Sequence, residues 1–471
     1  MNRRPMMGLI FIQLKKGKTM RPFFDLAKLT ERKIGHGFLI DNVPLSKILE
    51  CNHSPVYVTS LNAVAERVNI YQTTLKKYFK NNSIFYAMKA NFSNPILKQV
   101  QETTAGVDIV SIGEWRAALK AGFSPQKICF AGVGKKEEEW REAIEGGLGY
   151  LNVEHLDELK DILNYISDNI NKLKFIPVIS LRLNPCLEVK THPHLKTGAL
   201  DSKFGILFEH FEEWVINIKQ VFPNSQAFQE WISPLKGIHV HVGSQLMENK
   251  IFSLIIEKIL ECASFMFENN IKPYHIDLGG GLGVPYEGVS LDGTDISVHV
   301  EFFCSTLINL AKKYKKLHIL WGNQCENLFV CFEPGRSIVA SSTVFLTKVL
   351  YTKHNSNDHN FCFVDGAMND FPRPSIYNAK HQCEVVNFEN SEFLKQNSLR
   401  KKIHWQIVGP VCESGDFLSK DALLPKLFKN DVLAFFEAGA YCRSMASHYN
   451  LRKLPAEIFI KNGKIIEIIE N

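Results

Sequence analysis

Eight short runs of apolar and β-branched residues recur between residues 83 and 335, and most are followed by a stretch with apolar residues at every third or fourth position. No other feature restricts the fold as tightly, because strands that alternate with amphipathic helices build a parallel sheet joined by crossovers. The runs are SIFYAMKA (83–90), VDIVS (107–111), KICFAGV (127–133), GYLNV (149–153), VISLRLN (178–184), GIHVHVGS (237–244), HIDLGG (275–280) and LFVCFEPG (328–335). Between them lie helical patterns such as EEEWREAIEGG (137–147) and FSLIIEKILECASFMFE (252–268). Eight such units predict an α/β chain whose centre is a (β/α)8 TIM-type barrel.

Past residue 340 the pattern changes to strand-like runs with little helix between them, among them STVFLTKVLY, HWQIVGPVC and AEIFIKNGKIIEII. These predict a C-terminal antiparallel β domain. GHGFLIDNVPL and PVYVTS, ahead of the barrel, share that character, so the β domain is expected to take in these N-terminal strands. The expected divisions are an extension at 1–35, N-terminal strands at 36–60, the barrel at 61–340 and the β domain at 341–471. A second start-like segment, MRPFF, begins at Met20, so residues 1–19 read as an upstream extension.

Composition excludes several classes of function. Lys and Arg number 55 against 49 Asp and Glu, and the charge is spread along the chain, which argues against nucleic acid as a partner. The apolar run Met6–Ile12 is far short of the roughly 20 residues a membrane helix needs. Eleven cysteines form no CxxC pair, so no zinc framework, no metal site and no secreted disulfide scaffold is expected, and a reducing cytoplasm fits.

Reactive groups of such a barrel belong at the C-terminal strand ends. Lys89 ends the first run, Ser244 and His241 the sixth, the glycines of GGGLG (279–283) follow the seventh, and Glu333 and Arg336 close the eighth in EPGR. Each has a plain reading: a solvated lysine, a tight turn, a hydrogen-bonded histidine, an ion pair. Together they supply an amine for a Schiff base, backbone N–H groups for a phosphate, a carboxylate for a ring nitrogen and a flat ring support. Pyridoxal 5'-phosphate needs that combination, whereas a heme or nicotinamide enzyme leaves the lysine unexplained.

Seven motifs carry a wider resemblance: YAMKAN, HVHVGSQ, IDLGGGLG, EPGR, MNDFPRPSIY, GPVCESGD and EAGAYCRSMAS. From about residue 36 onward the chain resembles the diaminopimelate decarboxylase family, in the alanine-racemase-like pyridoxal-phosphate group that includes eukaryotic ornithine decarboxylase. The resemblance implies that Lys89 joins the cofactor covalently, His241 stacks on its ring, and Ser244, Gly280 and Gly281 hold its phosphate. Glu333 would face the pyridine nitrogen and Arg336 would reach phosphate or substrate carboxylate. Arg373 and Tyr377 match the substrate-binding pair. Cys412 matches the residue that returns a proton after CO2 leaves, Glu413 the reader of the distal amino end, and Tyr441 a residue touching cofactor and substrate. In this family the CES segment enters the neighbouring subunit's site, so a homodimer with shared active sites is implied.

The resemblance further implies decarboxylation of meso-2,6-diaminopimelate to L-lysine and CO2, the last step of lysine biosynthesis. NPCLEVKTHPHLKTGALDSKFGI (184–206) resembles that family's THP...TG loop, which ornithine decarboxylases and alanine racemases lack. Rival readings are a related decarboxylase acting on carboxynorspermidine, ornithine or arginine, and, more distantly, an antizyme-inhibitor-like binding protein without catalysis. A racemase places arginine at the ring nitrogen, against Glu333. The chain departs from the family pattern at AGVGKKEEE (131–139), read as a variant helix start, and at Cys442 beside Tyr441.

Overall fold

The computed structural model describes residues 39–51, 53–186, 202–220, 225–246, 250–286, 295–355, 359–386 and 401–470. Eight parallel strands close a barrel: Asn81–Ala87, Gly106–Ile109, Ile128–Phe130, Tyr150–Val153, Val178–Asn184, Leu235–Val240, His275–Asp277 and Phe329–Phe332. The eighth pairs with the first, Cys331 opposite Ser83, which completes the ring. A two-residue strand, Ile206–Leu207, extends the end of the fifth. Every run assigned from the sequence overlaps its strand; Asn81–Ala87, Gly106–Ile109 and Leu235–Val240 begin one or two residues earlier than assigned, and six of the eight runs extend past the strand into the loop beyond.

Side chains alternate along a strand, so one set faces the surrounding helices and the other the lumen. Near the base the lumen holds an aromatic layer: Tyr150 stacks on His275 and Phe329 at centroid distances of 5.3 and 5.7 Å, and Phe85 meets Tyr150 edge-on at 4.8 Å. Glycine makes the room. A Cβ on Gly237 would lie 2.2 Å from Ser180 Oγ and one on Gly106 2.6 Å from the Phe85 ring. Two residues further along the same strands the lumen turns polar, with Asp108, Asn152, Arg182, His239 and Asp277 buried, joined by Glu333 just past the eighth strand.

The sheet passes into the barrel at Ser60. It ends the strand Val56–Ser60 and caps the helix Leu61–Lys76, where its hydroxyl accepts from Ala63 N–H at 3.2 Å. That helix buries Leu61, Val64, Val68, Tyr71 and Leu75, the three-and-four spacing of one apolar face. The AGVGKKEEE segment starts the helix Glu137–Glu145, whose Glu139 carboxylate accepts from Lys136 N–H at 3.0 Å.

The second sheet runs in the order Phe417–Pro425, Lys402–Val408, Asn360–Val364, Thr343–His354, Val56–Ser60, Ala456–Lys461, Lys464–Ile469, with Val432–Phe435 pairing both Thr343–His354 and Cys383–Val385. It is mixed. Asn360–Val364 runs parallel to Lys402–Val408, and Val56–Ser60 parallel to Ala456–Lys461, while the remaining pairings are antiparallel. Of the two N-terminal runs, only PVYVTS enters this sheet. GHGFLIDNVPL contributes a separate hairpin, Leu39–Ile40 with Val43–Pro44, because Asp41 and Asn42 take positive φ values of 46° and 64° and turn the chain back on itself. Ile40 and Val43 still pack in the apolar cluster of Val56, Val344 and Ile458. Residues 1–38 and 187–201, which hold the N-terminal extension and the whole of THPHLKTG, lie outside the described residues. No helix among the described residues is long and apolar enough to cross a membrane.

Candidate active site

Lys89 sits in the 3-10 turn Met88–Ala90 at the end of the first barrel strand, its side chain 36% exposed at the barrel mouth. Nζ lies 3.4 Å from the Asp108 carboxylate at the end of the second strand. Burial works against its charge, yet Asp108, Tyr441 and Glu333 more than offset this and raise its pKa above the ordinary lysine value.

Glu333, at the end of the eighth strand, is buried in the lumen among donors from across the barrel. Asn152 Nδ2 donates to it at 3.1 Å, His239 Nε2 at 3.0 Å and Cys129 Sγ at 3.5 Å. Burial alone would raise its pKa; His239, Lys89 and a hydrogen bond from Asp277 hold it below the usual carboxylate range instead. Asp277 moves the other way, raised by burial and by Glu333, so it keeps its proton and serves as a donor. Donor atoms of His239, Asp277 and Glu333 lie within 4.8 Å of one another, a spacing a cation could use, but here both neighbours hold Glu333 as a carboxylate.

The sixth strand leads into His241, which burial and the charges of Lys89 and Arg182 keep neutral. Gly280 N–H donates to its Nδ1 at 3.2 Å, leaving the ring proton on Nε2. The glycine loop lies hard against neighbouring backbone: a Cβ on Gly279, Gly280 or Gly281 would stand 2.2, 2.3 or 2.4 Å from the carbonyls of Val240, Glu333 and Gly243. Gly279 and Gly281 also take φ of 62° and 107°, which favours glycine.

Arg336 opens the turn after Glu333. It donates to Ser244 Oγ at 3.2 Å from Nε and 2.9 Å from Nη2, donates to Tyr286 Oη, and lies 4.8 Å over the Tyr441 ring. Arg373, 3% exposed, opens the short helix Arg373–Tyr377; it lies 4.1 Å over the other face of the cluster, the Tyr286 ring, and donates to His381 Nε2 at 2.8 Å. Among the described residues no carboxylate pairs with either guanidinium, and Arg373 Nε has no partner at all. Two buried cations held only by neutral acceptors make a site for anions.

Tyr441 has φ of 57°, rare for an aromatic residue, fixed by its N–H donating to Ala90 O at 2.9 Å, one residue past Lys89. Tyr377 is half-buried, its hydroxyl 3.8 Å from Met445 Sδ. Cys442 packs in the β-domain core, its thiol pushed up to about 12 by burial against the pull of Arg373 and Arg336. Cys412 and Glu413 lie apart from these groups on an exposed loop, anchored where Asp416 accepts from Met368 and Val411 N–H at 2.7 and 2.6 Å. Glu413 accepts from the Tyr449 hydroxyl.

The structure thus gathers Lys89, His241, Ser244, Gly280, Gly281, Glu333, Arg336, Arg373 and Tyr441 at one mouth, and leaves Cys412 and Glu413 on the surface. Sequence reasoning passed over Asp108, Asn152, Arg182, His239, Asp277, Tyr286 and His381. Five of them carry one legible signal, a polar residue at an alternate position in an otherwise apolar barrel strand.

Residues 62–340 match the family model described as pyridoxal-dependent decarboxylase, pyridoxal binding domain. A diaminopimelate decarboxylase of Aquifex aeolicus is 35% identical over 431 residues, covering 90% of this chain and 91% of the relative. The crystal structure of the Helicobacter pylori diaminopimelate decarboxylase complexed with L-lysine superposes with a TM-score of 0.75 at 33% identity, over 90% of this chain and 96% of that one. That of the m. jannaschii diaminopimelate decarboxylase in co-complex with L-lysine gives 0.77 at 28% identity, over 93% and 94%. The chain therefore belongs to the pyridoxal-dependent decarboxylases, and among them to the family of the diaminopimelate decarboxylases.

Proposed function

We propose that this protein decarboxylates meso-2,6-diaminopimelate to L-lysine and CO2 with pyridoxal 5'-phosphate, the closing step of lysine biosynthesis. The observation that carries the reading is the pair of buried guanidinium groups, Arg336 and Arg373, on the same mouth as Lys89 and Glu333, that meet no carboxylate among the described residues. The residues fit the cofactor. A glycine loop on which any Cβ would collide with backbone leaves its face open to a phosphate, and Ser244 with Arg336 adds donors beside it. Lys89 supplies the amine, and Glu333 a fixed negative charge suited to a protonated ring nitrogen. Neutral His241 and Tyr441 supply flat rings.

Bound pyridoxal phosphate supplies an electron-withdrawing ring for the pair left on Cα as the C–CO2 bond breaks. The chain's own residues do the rest. Arg373 and Tyr377 hold the carboxylate that is retained, Arg336 shares between phosphate and carboxylate, and Tyr441 shields the mouth from water. One proton must replace the lost CO2 at Cα, and Cys412 is the residue to deliver it; Glu413 pairs with the distal ammonium, which rejects substrates lacking one. Since both stand exposed on their own chain, a second copy supplies them, and the working unit is a homodimer. Eleven unpaired cysteines support a cytoplasmic setting. The match to residues 62–340 supports divisions near residues 61 and 340.

The test is the purified protein, loaded with pyridoxal phosphate and given meso-diaminopimelate, ornithine, arginine and carboxynorspermidine in parallel. Lysine and CO2 from diaminopimelate alone are expected. Turnover of another of the four in its place would overturn the substrate, and CO2 from none would overturn the reaction.

A further inference from the structure

We propose that His381 and Tyr286 are positioning residues that aim Arg373 at the substrate's carboxylate while leaving its charge uncancelled. This rests on the reading of Arg373 as the carboxylate site and adds how that site is held.

His381 is buried and both ring nitrogens are committed. Nδ1 stands 2.8 Å from Phe436 O, an atom that can only accept, so Nδ1 carries the hydrogen. Nε2 is then a bare lone pair, and Arg373 Nη1 donates to it at 2.8 Å. The ring cannot swivel out of this arrangement, being wedged edge-on between Tyr286 and Phe371 with centroids 4.7 Å away on each side. Burial and the neighbouring Arg373 hold its pKa well below the usual histidine value, so the imidazole stays an acceptor.

Tyr286 bears on the same guanidinium from its face, with Arg373 Cζ 4.1 Å from the ring centroid, while its hydroxyl accepts from Arg336. One ring thus separates two cations and meets both with its negative π face and its oxygen. Its place is fixed in turn: Gln382 N–H donates to Tyr286 O at 3.0 Å, and Phe436 N–H to Gln382 O at 3.0 Å.

The chemistry of these partners decides what Arg373 can do. A buried arginine is most often fixed by Asp or Glu, which sets its plane but takes up its charge. An imidazole lone pair and an aromatic face set the plane equally well and leave a whole positive charge for an incoming carboxylate. Arg373 Nε, without a partner, is part of what remains on offer.

The experiment compares cofactor-loaded wild type with His381→Leu, His381→Gln, His381→Glu and Tyr286→Leu, measuring KM and kcat for diaminopimelate and the calorimetric Kd for L-lysine. His381→Leu is expected to raise KM and the lysine Kd together by about tenfold, the loss of one hydrogen bond to a charged group, with kcat changed far less. Gln, with a carbonyl for Arg373 and an N–H for Phe436, should recover most of that loss. Glu should raise KM at least as far as Leu by pairing with Arg373. Tyr286→Leu removes both the ring under Arg373 and the oxygen facing Arg336 and should raise KM and the lysine Kd together by about fivefold or more, whereas a Kd within about twofold of wild type would remove Tyr286 from the proposal. A His381→Leu KM and lysine Kd within twofold of wild type, or a Gln variant no better than Leu, would sink the proposal; if Leu fails to fold, a Glu variant that binds lysine as tightly as wild type does so alone. Should wild type itself leave diaminopimelate untouched, the fault lies with the function proposed above, and the same variants measured on whichever amino acid it decarboxylates still decide the positioning role.

Discussion

The barrel mouth and the loop at 409–416 place chemically similar groups in opposite surroundings. At the mouth, Glu333 is a buried carboxylate with donors from four other positions in the lumen, its ionisation fixed by its setting. On the loop, Glu413 is an exposed carboxylate with one exposed tyrosine as donor, and Cys412 beside it is an exposed thiol. A preorganised field costs nothing at the moment of reaction, which suits the part of a site that must hold a cofactor. Exposed groups gain comparable strength only when another surface excludes water from them, which suits the part a partner would bring.

Substitutions should separate the two regions. Lys89→Ala removes the amine that ends the first barrel strand and is expected to lower kcat by roughly 10³-fold or more while circular dichroism stays that of wild type. Glu333→Gln keeps the shape but not the charge; kcat should fall by roughly 10²-fold, and a variant near wild-type rate would mean that the lumen's elaborate solvation of this carboxylate serves folding alone. Cys412→Ala is expected to cost roughly 10²-fold, but mixing it with Lys89→Ala should restore about one quarter of wild-type activity, the statistical share for one intact site in half the dimers. Equal inactivity after mixing, with subunit exchange verified, would place the loop in its own chain's site.

The smallest effect concerns a buried group with no part in either region. His299 lies among Phe252 and Phe303, its pKa lowered to about 3 by burial alone. An unfolded histidine titrates near 6.5, so between roughly pH 6.5 and 3 the unfolded chain holds one more proton than the folded one. Its contribution is therefore complete above pH 6.5 and is lost as pH falls toward 3. Urea unfolding at pH 7 and pH 5 should show His299→Leu losing about 2 kcal/mol less over that interval than wild type, because the slope of about 1.4 kcal/mol per pH unit sets in only below about pH 6.5.

The sequence carried the barrel well because each strand is buried on both sides and reads as a continuous apolar run with a helical period following. It carried Lys89, His241, Glu333 and Arg336 because strand ends are where a barrel concentrates chemistry. Asp108, Asn152 and His239 stayed hidden among apolar neighbours, although VDIVS, GYLNV and GIHVHVGS each interrupt hydrophobicity at the lumen-facing period. Tyr286 and His381 had no such cue: they stand far apart in sequence and meet only where the barrel's glycine loop abuts the β domain. Nor could composition foretell the two parallel pairings of the second sheet, which depend on which distant strands find each other.

The loop behind Lys89 is stitched to the segment bearing Tyr441. Ala90 O accepts from Tyr441 N–H at 2.9 Å and from Ser444 Oγ at 3.0 Å, Asn91 Nδ2 donates to Gly439 O at 3.1 Å, and Ser93 Oγ donates to Glu457, which also pairs with Arg443. Barrel and sheet are in effect riveted together beside the lysine. Parting the two halves there would break all of these bonds at once, a cost that favours traffic of substrate and product through the surface over a turnover cycle that opens the frame.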